Sequence, residues 1–107
     1  MIRHIVLVRF RPDVSEQTIS ALFQELHEIE DKIPGLIAMT SGRSESPEKI
    51  ERGYMHGFVV DFADWDALAA YQDHPDHNAL GAKLVANAVG GLDGILVLDI
   101  PVAARAA

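Results

Sequence analysis

The sequence predicts an α+β fold in which a four-stranded antiparallel sheet carries its helices on one face. Three observations predict it. Four apolar stretches alternate with a two-residue period, amphipathic helical patterns separate some of them, and the order is strand, helix, strand, strand, helix pair, strand. This order is that of a ferredoxin-like protomer. With 107 residues the chain has the size of one domain, and we assign residues 1–107 to it.

The first strand is predicted over residues 2–10, where apolar and β-branched residues dominate and a proline follows closely. Because successive side chains of a strand point to opposite faces, its residues divide into two sets. One face carries His4, Val6, Val8 and Phe10. The opposite face carries Ile5 and Leu7 between two arginines.

The first helix is predicted to begin after Ser15, a residue type that caps helix N-termini. Pro34-Gly35 is expected to end it. Apolar residues recur between these points at helical spacing and form one stripe: Ile19, Leu22, Phe23, Leu26, Ile29 and Ile33.

Three further strands are predicted by alternating apolar residues. The second runs from Leu36 to about Ser44, and the third runs from Tyr54 to Phe62 with His56 and Phe58 on one face. The last runs from Ile95 to Ile100.

The stretch YQDHPDH, residues 71–77, is predicted to join two helices. Asp64 caps the first of them. That helix ends before Pro75, because the residue preceding a proline is pushed out of the helical region. Pro75 suits the first turn of the second helix, with His74 as its cap and His77 on its apolar stripe. This second helix is expected to reach Gly90-Gly91.

Both faces of the predicted sheet are apolar, although the helices can cover only one of them. The open face is expected to carry Ile5, Leu7, Leu96 and Leu98. A second copy of the chain is the simplest cover for such a surface. We therefore predict a homodimer.

Composition excludes several classes of function. The absence of cysteine excludes disulfide scaffolds, thiolate metal sites and cysteine nucleophiles. A formal net charge of −7 and scattered lysines and arginines disfavour nucleic-acid binding. The absence of cysteine makes a reducing cytoplasm the default location, so we expect a cytoplasmic protein. No apolar run approaches the ~20 residues of a membrane helix, so no membrane partner is expected. The C-terminal AARAA is expected to be a frayed tail.

The chain resembles the stress-responsive A/B barrel (Dabb) domains from Arg3 to Ile100. The resemblance rests on His4, on RGYMH at 52–56, on YQDHPDH at 71–77 and on LVLDI near the end, in this order and spacing. It implies a dimeric α+β barrel, in which two four-stranded sheets close around each other with their helices outside.

The resemblance also implies candidate functions. Members of the family include plant stress proteins and polyketide cyclases that catalyse an intramolecular aldol condensation without a cofactor. In those cyclases a histidine and a tyrosine that match His77 and Tyr71 carry the chemistry. Histidines that match His4 and His56 line the same cavity.

The residues themselves favour such a pocket, because the helix-facing stripes can bring three imidazoles and Tyr71 to one core. An imidazole takes and returns a proton near neutral pH, and a tyrosine hydroxyl can donate to a developing enolate oxygen. Apart from the catalytic pair His77 and Tyr71, the pocket is expected to contain His4, His56, Phe23, Leu26 and Phe58.

We therefore expect a cofactor-free cyclase or lyase that acts on a carbonyl, polyketide-like ligand. Two alternatives stay open: a non-catalytic, stress-related homodimer or small-molecule-binding protein, and a cofactor-independent monooxygenase with the same architecture. No side-chain metal site is predicted, because the turn at Pro75 aims His74 and His77 differently. A structural Mg²⁺ at the backbone carbonyls of Glu30, Ile33 and Leu36 is a further hypothesis, taken from a similar turn in some family members.

Overall fold

The sheet and its helices follow the predicted order in the computed structural model, which describes residues 1–103. Four of the elements are strands: β1 Ile2–Val8, β2 Leu36–Arg43, β3 His56–Phe62 and β4 Ile95–Pro101. Three are α-helices: α1 Glu16–His27, α2 Trp65–Asp73 and α3 Pro75–Asn87. Short 3₁₀ helices cover Glu30–Lys32 and Gly91–Gly94. The predicted frayed tail lies outside the described residues except for Ala103.

The strands form one antiparallel sheet in the order β2-β3-β1-β4. The central strand β1 pairs with β3 on one side and with β4 on the other, so that His4 lies opposite both Val60 and Asp99. The predicted ferredoxin-like α+β fold is confirmed.

One face of the sheet forms the core with the helices. Residues of β1 and β3 alternate strictly between buried and partly buried positions, as expected for strands with one covered face. The large side chains that are almost completely buried come from the sheet, from all three helices and from the turn after α1: Tyr71, Phe62, Leu26, Ile29, Leu80, Val8 and Val60.

The other face of the sheet is open, as the sequence predicts. In the register of β1 and β4, Leu7 lies opposite Leu96, and Ile5 lies opposite Leu98. Leu98 is 54% exposed in the single chain. This face therefore presents a row of apolar side chains across two neighbouring strands.

The predicted N-caps are confirmed by hydrogen bonds. The hydroxyl of Ser15 accepts from the amide of Thr18 at 3.1 Å, and the carboxylate of Asp64 accepts from the amide of Ala67 at 2.9 Å. His74 caps α3 through its ring, because Nδ1 accepts from the backbone amide of Asp76 at 3.1 Å.

The first helix is shorter than predicted. It ends at His27, and the chain then forms a turn and a 3₁₀ helix before Pro34. Ile29 and Ile33 nevertheless remain buried, because the turn keeps them on the side of the core. The apolar stripe thus predicted burial correctly and helix length incorrectly.

Three other element ends differ from the prediction by two or three residues. Strand β1 ends at Val8, and Phe10 makes only an isolated bridge with Ala88. Strand β3 begins at His56, two residues after Tyr54. Helix α3 ends at Asn87 rather than at Gly90-Gly91, because the amide of Val89 binds the carbonyl of Arg9 instead of continuing the helix.

Leu26→Ala should lower the free energy of unfolding by about 2–5 kcal/mol, because it leaves a cavity beneath α1 where Leu26 is fully buried. Urea unfolding followed by circular dichroism measures this loss. Leu92→Ala is the matched control, since Leu92 is 72% exposed, and it should change stability by no more than ~0.5 kcal/mol. Equal losses in the two variants would contradict this account of the core.

Candidate functional site

A pocket of about 260 Å³ lies between the sheet and helix α3, and we call it the helix–sheet pocket. Its polar residues come from three elements: His4, Gln72 and His77. The remaining residues of its wall are apolar: Val6, Phe58, Gly81, Leu84, Val85, Leu92, Ile95 and Val97. The pocket is thus an apolar cavity with two imidazoles and one amide in its wall.

His4 is held in the pocket wall by an acidic partner on the neighbouring strand. Its Nδ1 lies 2.6 Å from a carboxylate oxygen of Asp99, and the two residues lie opposite each other in the β1–β4 register. Because a carboxylate can only accept, Nδ1 carries the donated proton. In the neutral ring the other nitrogen, Nε2, is then an acceptor. Asp99 therefore orients the ring and sets its tautomer.

Tyr71 lies behind this wall with its side chain completely buried. Its ring centroid is 4.4 Å from that of His77 and 5.7 Å from that of His4. Burial raises the pKa of the Tyr71 phenol, so the hydroxyl stays protonated and acts as a hydrogen-bond donor. Among residues 1–103, no side chain or backbone group makes a hydrogen bond with this hydroxyl.

His77 projects from the first turns of α3 into the pocket wall. Burial lowers its pKa from 6.5, and the neighbouring His4 and His74 act in the same direction. Asn78 and the backbone of Gln72 act in the opposite direction. Nδ1 of His77 is buried and has no well-formed hydrogen bond within the described part of the chain. The ring is therefore neutral near neutral pH and able to accept a proton.

His56 does not share this pocket. It lies in a second recess of about 190 Å³, beside Phe10 and Glu16. The β1–β3 register explains the separation, because His56 lies opposite Val8, which is four residues from His4, or about 13 Å along the strand. The expectation that all three histidines meet at one pocket therefore differs from the structure.

Charged side chains surround the imidazole of His56. Its Nε2 lies 2.9 and 3.1 Å from the two carboxylate oxygens of Glu16, and Arg43 donates to the same carboxylate at 3.1 Å. The hydrogen bond with His56 lowers the pKa of Glu16, and the charge of Arg43 adds to this effect. The imidazole thus ties α1 to β3.

The three apolar residues predicted for the pocket lie in different places. Phe58 lines the helix–sheet pocket. Phe23 packs between the two sites, with ring centroids 6.1 Å from Phe58 and 6.5 Å from His56. Leu26 is fully buried in the core and is not part of the pocket wall.

Three polar residues of YQDHPDH, namely Asp73, His74 and Asp76, lie outside the pocket wall, whereas Gln72 is part of it. His74 caps α3, Asp73 is exposed, and Asp76 pairs with Lys32 at 2.6 Å. The turn at Pro75 therefore separates the residues of this stretch into two sets. Gln72 and His77 line the pocket, Tyr71 lies behind the wall against His77, and residues 73–76 form the helix junction.

The proposed magnesium site lies in the turn between α1 and β2. Glu30 begins the 3₁₀ helix, Ile33 follows it, and Leu36 begins β2. The carbonyl of Ile33 accepts from the amide of Leu36 at 3.2 Å. A magnesium ion at these carbonyls stays a prediction. Within residues 1–103, no group of three or more His, Asp or Glu side chains is placed to hold a metal ion.

The model of the family described as stress responsive A/B barrel domain matches residues 2–102. The chain belongs to this family. A curated member, a stress-response A/B barrel domain-containing protein from Arabidopsis thaliana, is 28% identical over 95% of this chain and 86% of its own length. The predicted family is therefore confirmed.

Two further proteins are similar to this chain, one named for an activity and one described as dimeric. Olivetolic acid cyclase from Cannabis sativa is 22% identical over 75% of this chain and 79% of its own length. A solved structure from Jannaschia sp., described as a dimeric ferredoxin-like protein of unknown function, is 33% identical. It superposes with a TM-score of 0.88 and covers 94% of this chain and 98% of its own.

Sequence reasoning did not identify Asp99 or Gln72. Asp99 is the one charged residue within the otherwise apolar run LVLDI. A carboxylate in such a run is the feature of the sequence that could have indicated a functional position. Its pairing with His4 required the β1–β4 register. Gln72 follows Tyr71 in α2 and gives no signal of its own.

No helix within residues 1–103 is both long and apolar enough to span a membrane.

Tyr71→Phe should preserve or raise stability, by up to about 1 kcal/mol, because it removes a buried hydroxyl that has no partner in residues 1–103. Chemical denaturation measures the change. Tyr71→Ala is the comparison, and it should lower stability by about 3–5 kcal/mol through the loss of a fully buried ring. A large loss in Tyr71→Phe would show that the hydroxyl has a structural partner.

Proposed function

We propose that this protein binds a small carbonyl compound in the helix–sheet pocket and removes a proton from the carbon beside the carbonyl, as a cofactor-free cyclase or lyase. One observation carries the proposal. The rings of Tyr71 and His77 lie with their centroids 4.4 Å apart, and one buried polar atom of each, Oη of Tyr71 and Nδ1 of His77, has no hydrogen-bond partner in residues 1–103. An unsatisfied buried polar group costs about 1–3 kcal/mol. A ligand with a carbonyl group would satisfy the hydroxyl.

The roles of the two residues follow from their protonation states. His77 is neutral near neutral pH and accepts the proton from the α-carbon. Tyr71 keeps its proton and donates a hydrogen bond to the oxygen on which the enolate charge develops. In a cyclisation the enolate carbon then forms a bond with a second carbonyl carbon. The alkoxide that results takes the proton back from His77.

His4 and Asp99 support this site from the sheet. The carboxylate of Asp99 orients the His4 ring at 2.6 Å, and that ring packs edge-on against Tyr71. Asp99 thus acts as a positioning residue through His4. The cyclase from Cannabis sativa supports the reaction type, while the substrate proposed here follows from the pocket itself. A cytoplasmic location and a role in stress response stay predictions.

His77→Ala should abolish proton exchange while the fold is kept. The probe is methyl 3-oxobutanoate in D₂O, whose α-protons are followed by ¹H NMR. The wild type should accelerate exchange, and His77→Ala should lose roughly 10²–10⁴-fold of that acceleration. The rate should be half-maximal at a pH below 6.5, because burial lowers the pKa of His77 and the neutral ring is the base.

His27→Ala is the matched control for this exchange experiment. His27 also makes a side-chain contact, with Ser41 at 2.9 Å, but it does not line the helix–sheet pocket. It should exchange at the wild-type rate. Wild-type exchange by His77→Ala would contradict the catalytic role, and binding of the ester without any accelerated exchange would leave a non-catalytic binding protein.

We also infer that the chain forms a homodimer through the open faces of two sheets. Leu96, Leu98 and Ile100 are 45%, 54% and 46% exposed in one continuous strand. Packing against a second copy would cover them, together with the partly buried Ile5 and Leu7. The solved relative from Jannaschia sp., which is described as dimeric, supports a dimer.

Leu98→Asp should convert the protein to a monomer, because it places a charge in the centre of the apolar open face. Sedimentation velocity at micromolar concentration measures the mass. Ile50→Asp is the control, since Ile50 is 58% exposed but lies in the β2–β3 connection, and it should remain dimeric. A monomeric wild type would overturn the proposed assembly.

A further inference from the structure

Helix α3 is capped by a histidine, whereas α1 and α2 are capped by groups that keep an acceptor oxygen throughout the neutral pH range. Ser15 caps α1, and Asp64 caps α2. At α3, Nδ1 of His74 accepts from the backbone amide of Asp76 at 3.1 Å. A neutral imidazole has one acceptor nitrogen and a protonated imidazole has none. The cap of α3 therefore exists only while the ring of His74 is neutral.

The cap bond fixes the tautomer of His74 as well as its charge. Because Nδ1 is the acceptor, the proton of the neutral ring lies on Nε2. His4 shows the opposite arrangement, since its Nδ1 faces the carboxylate of Asp99 at 2.6 Å. In their neutral forms the two histidines thus carry the proton on different nitrogens, and nitrogen chemical shifts distinguish these forms.

The capped turn is the turn that carries His77. Pro75 is the first residue of α3 and has no amide hydrogen, so the amide of Asp76 is the first that needs a partner outside the helix. The carbonyl of His74 accepts the first helical hydrogen bond, from the amide of Asn78 at 3.1 Å. The two bonds to His74 therefore hold the backbone immediately before and immediately after His77.

Charged groups from three elements lie around this cap. The carboxylate of Asp76 lies 3.9 Å from Nδ1 of His74 and 2.6 Å from Nζ of Lys32, which belongs to the 3₁₀ helix before β2. Asp73, the last residue of α2, immediately precedes His74. On α3, the charge of His74 lowers the pKa of His77. Protonation of His74 would thus exchange the cap bond for an ion pair with Asp76, in competition with Lys32.

We propose that His74 is a positioning residue for the reaction at His77, because its neutral ring holds the first turn of α3 in place. His74 is not part of the pocket wall and acts through the backbone of Asp76. Histidine changes its charge between about pH 5 and 8. As the pH falls and His74 takes up a proton, the cap bond is lost and the turn loosens. This proposal rests on the proposed function for the role of His77, and it adds a control of that role by pH.

NMR spectroscopy of the free protein tests the cap itself. At pH ~8 a long-range ¹H–¹⁵N spectrum should show the proton of His74 on Nε2. Hydrogen exchange of the Asp76 amide, corrected for the intrinsic effect of pH, should be roughly fivefold less protected at pH ~5 than at pH ~8. A proton on Nδ1 at the higher pH, or protection that does not follow the charge of His74, would overturn the proposal.

Two substitutions of His74 separate capping from titration. His74→Asn keeps a cap that does not titrate, because asparagine is a good N-cap residue, and His74→Ala removes the cap. The readout is α-proton exchange of methyl 3-oxobutanoate, divided by the fraction of neutral His77 that an NMR titration of each variant measures. At pH ~8, His74→Asn should match the wild type within about twofold, and His74→Ala should be roughly fivefold slower. At pH ~5 the wild type should fall to the level of His74→Ala, while His74→Asn should keep its rate.

Ser15→Ala is the matched control for the loss of a helix cap. Ser15 caps α1 and does not line the helix–sheet pocket. Its removal should lower the Tm about as much as His74→Ala does, but it should leave the exchange rate and its pH dependence unchanged. An equal loss of exchange in Ser15→Ala and His74→Ala would show a general effect of lower stability and would overturn the specific role of His74.

Failure of this proposal and failure of the proposed function give different results. A wild-type rate in His74→Ala, or a pH dependence in His74→Asn equal to that of the wild type, would overturn the positioning role and leave His77 as the base. Unchanged exchange in His77→Ala would overturn the proposed function. Protection of the Asp76 amide that still follows the charge of His74 would then support the pH-dependent turn as a property of the fold, without the catalytic role.

Discussion

The antiparallel pairing of β1 with both of its neighbours is the constraint on which the site depends. Its register with β4 places Asp99 opposite His4, and the carboxylate then orients the imidazole at 2.6 Å. Its register with β3 places His56 opposite Val8, at the far end of the same face. A shift of one residue would turn His4 to the open face, because side chains alternate along a strand. The pairing of β1 thus places His4, and not His56, in the wall of the helix–sheet pocket.

Burial is the second determinant, because it sets the chemistry of the pocket residues. Removal from water raises the pKa of Tyr71 and lowers the pKa of His77, and both changes favour the uncharged form. The result is a protonated hydroxyl beside a neutral imidazole. The hydroxyl can donate a hydrogen bond to an enolate oxygen, and the imidazole can accept the proton whose removal forms the enolate. The two rings of this pair come from α2 and α3, and the turn at Pro75 brings them to a centroid distance of 4.4 Å.

The two sites on the helix-facing side of the sheet use histidine differently. At His56, the carboxylate of Glu16 occupies Nε2, and Arg43 completes an ionic cluster. The groups there already satisfy one another, so this recess stabilises the junction of α1 with β3. In the helix–sheet pocket, by contrast, polar atoms remain without partners in the described chain. Unsatisfied polar atoms beside an apolar cavity distinguish a candidate binding site from a structural histidine.

The sequence by itself determined the element order, the ferredoxin-like fold, the three N-caps and the apolar open face. These features depend on residue periodicity and on local capping chemistry, which act over a few neighbouring residues. It also indicated that Tyr71 and His77 would converge, because the proline turn between them is local. Only the tertiary structure decided that His56 lies apart, that Asp99 partners His4 and that Gly81 lines the pocket. These facts depend on strand register and on how α3 packs against the sheet, which are contacts between residues distant in sequence and leave no periodic signal in it.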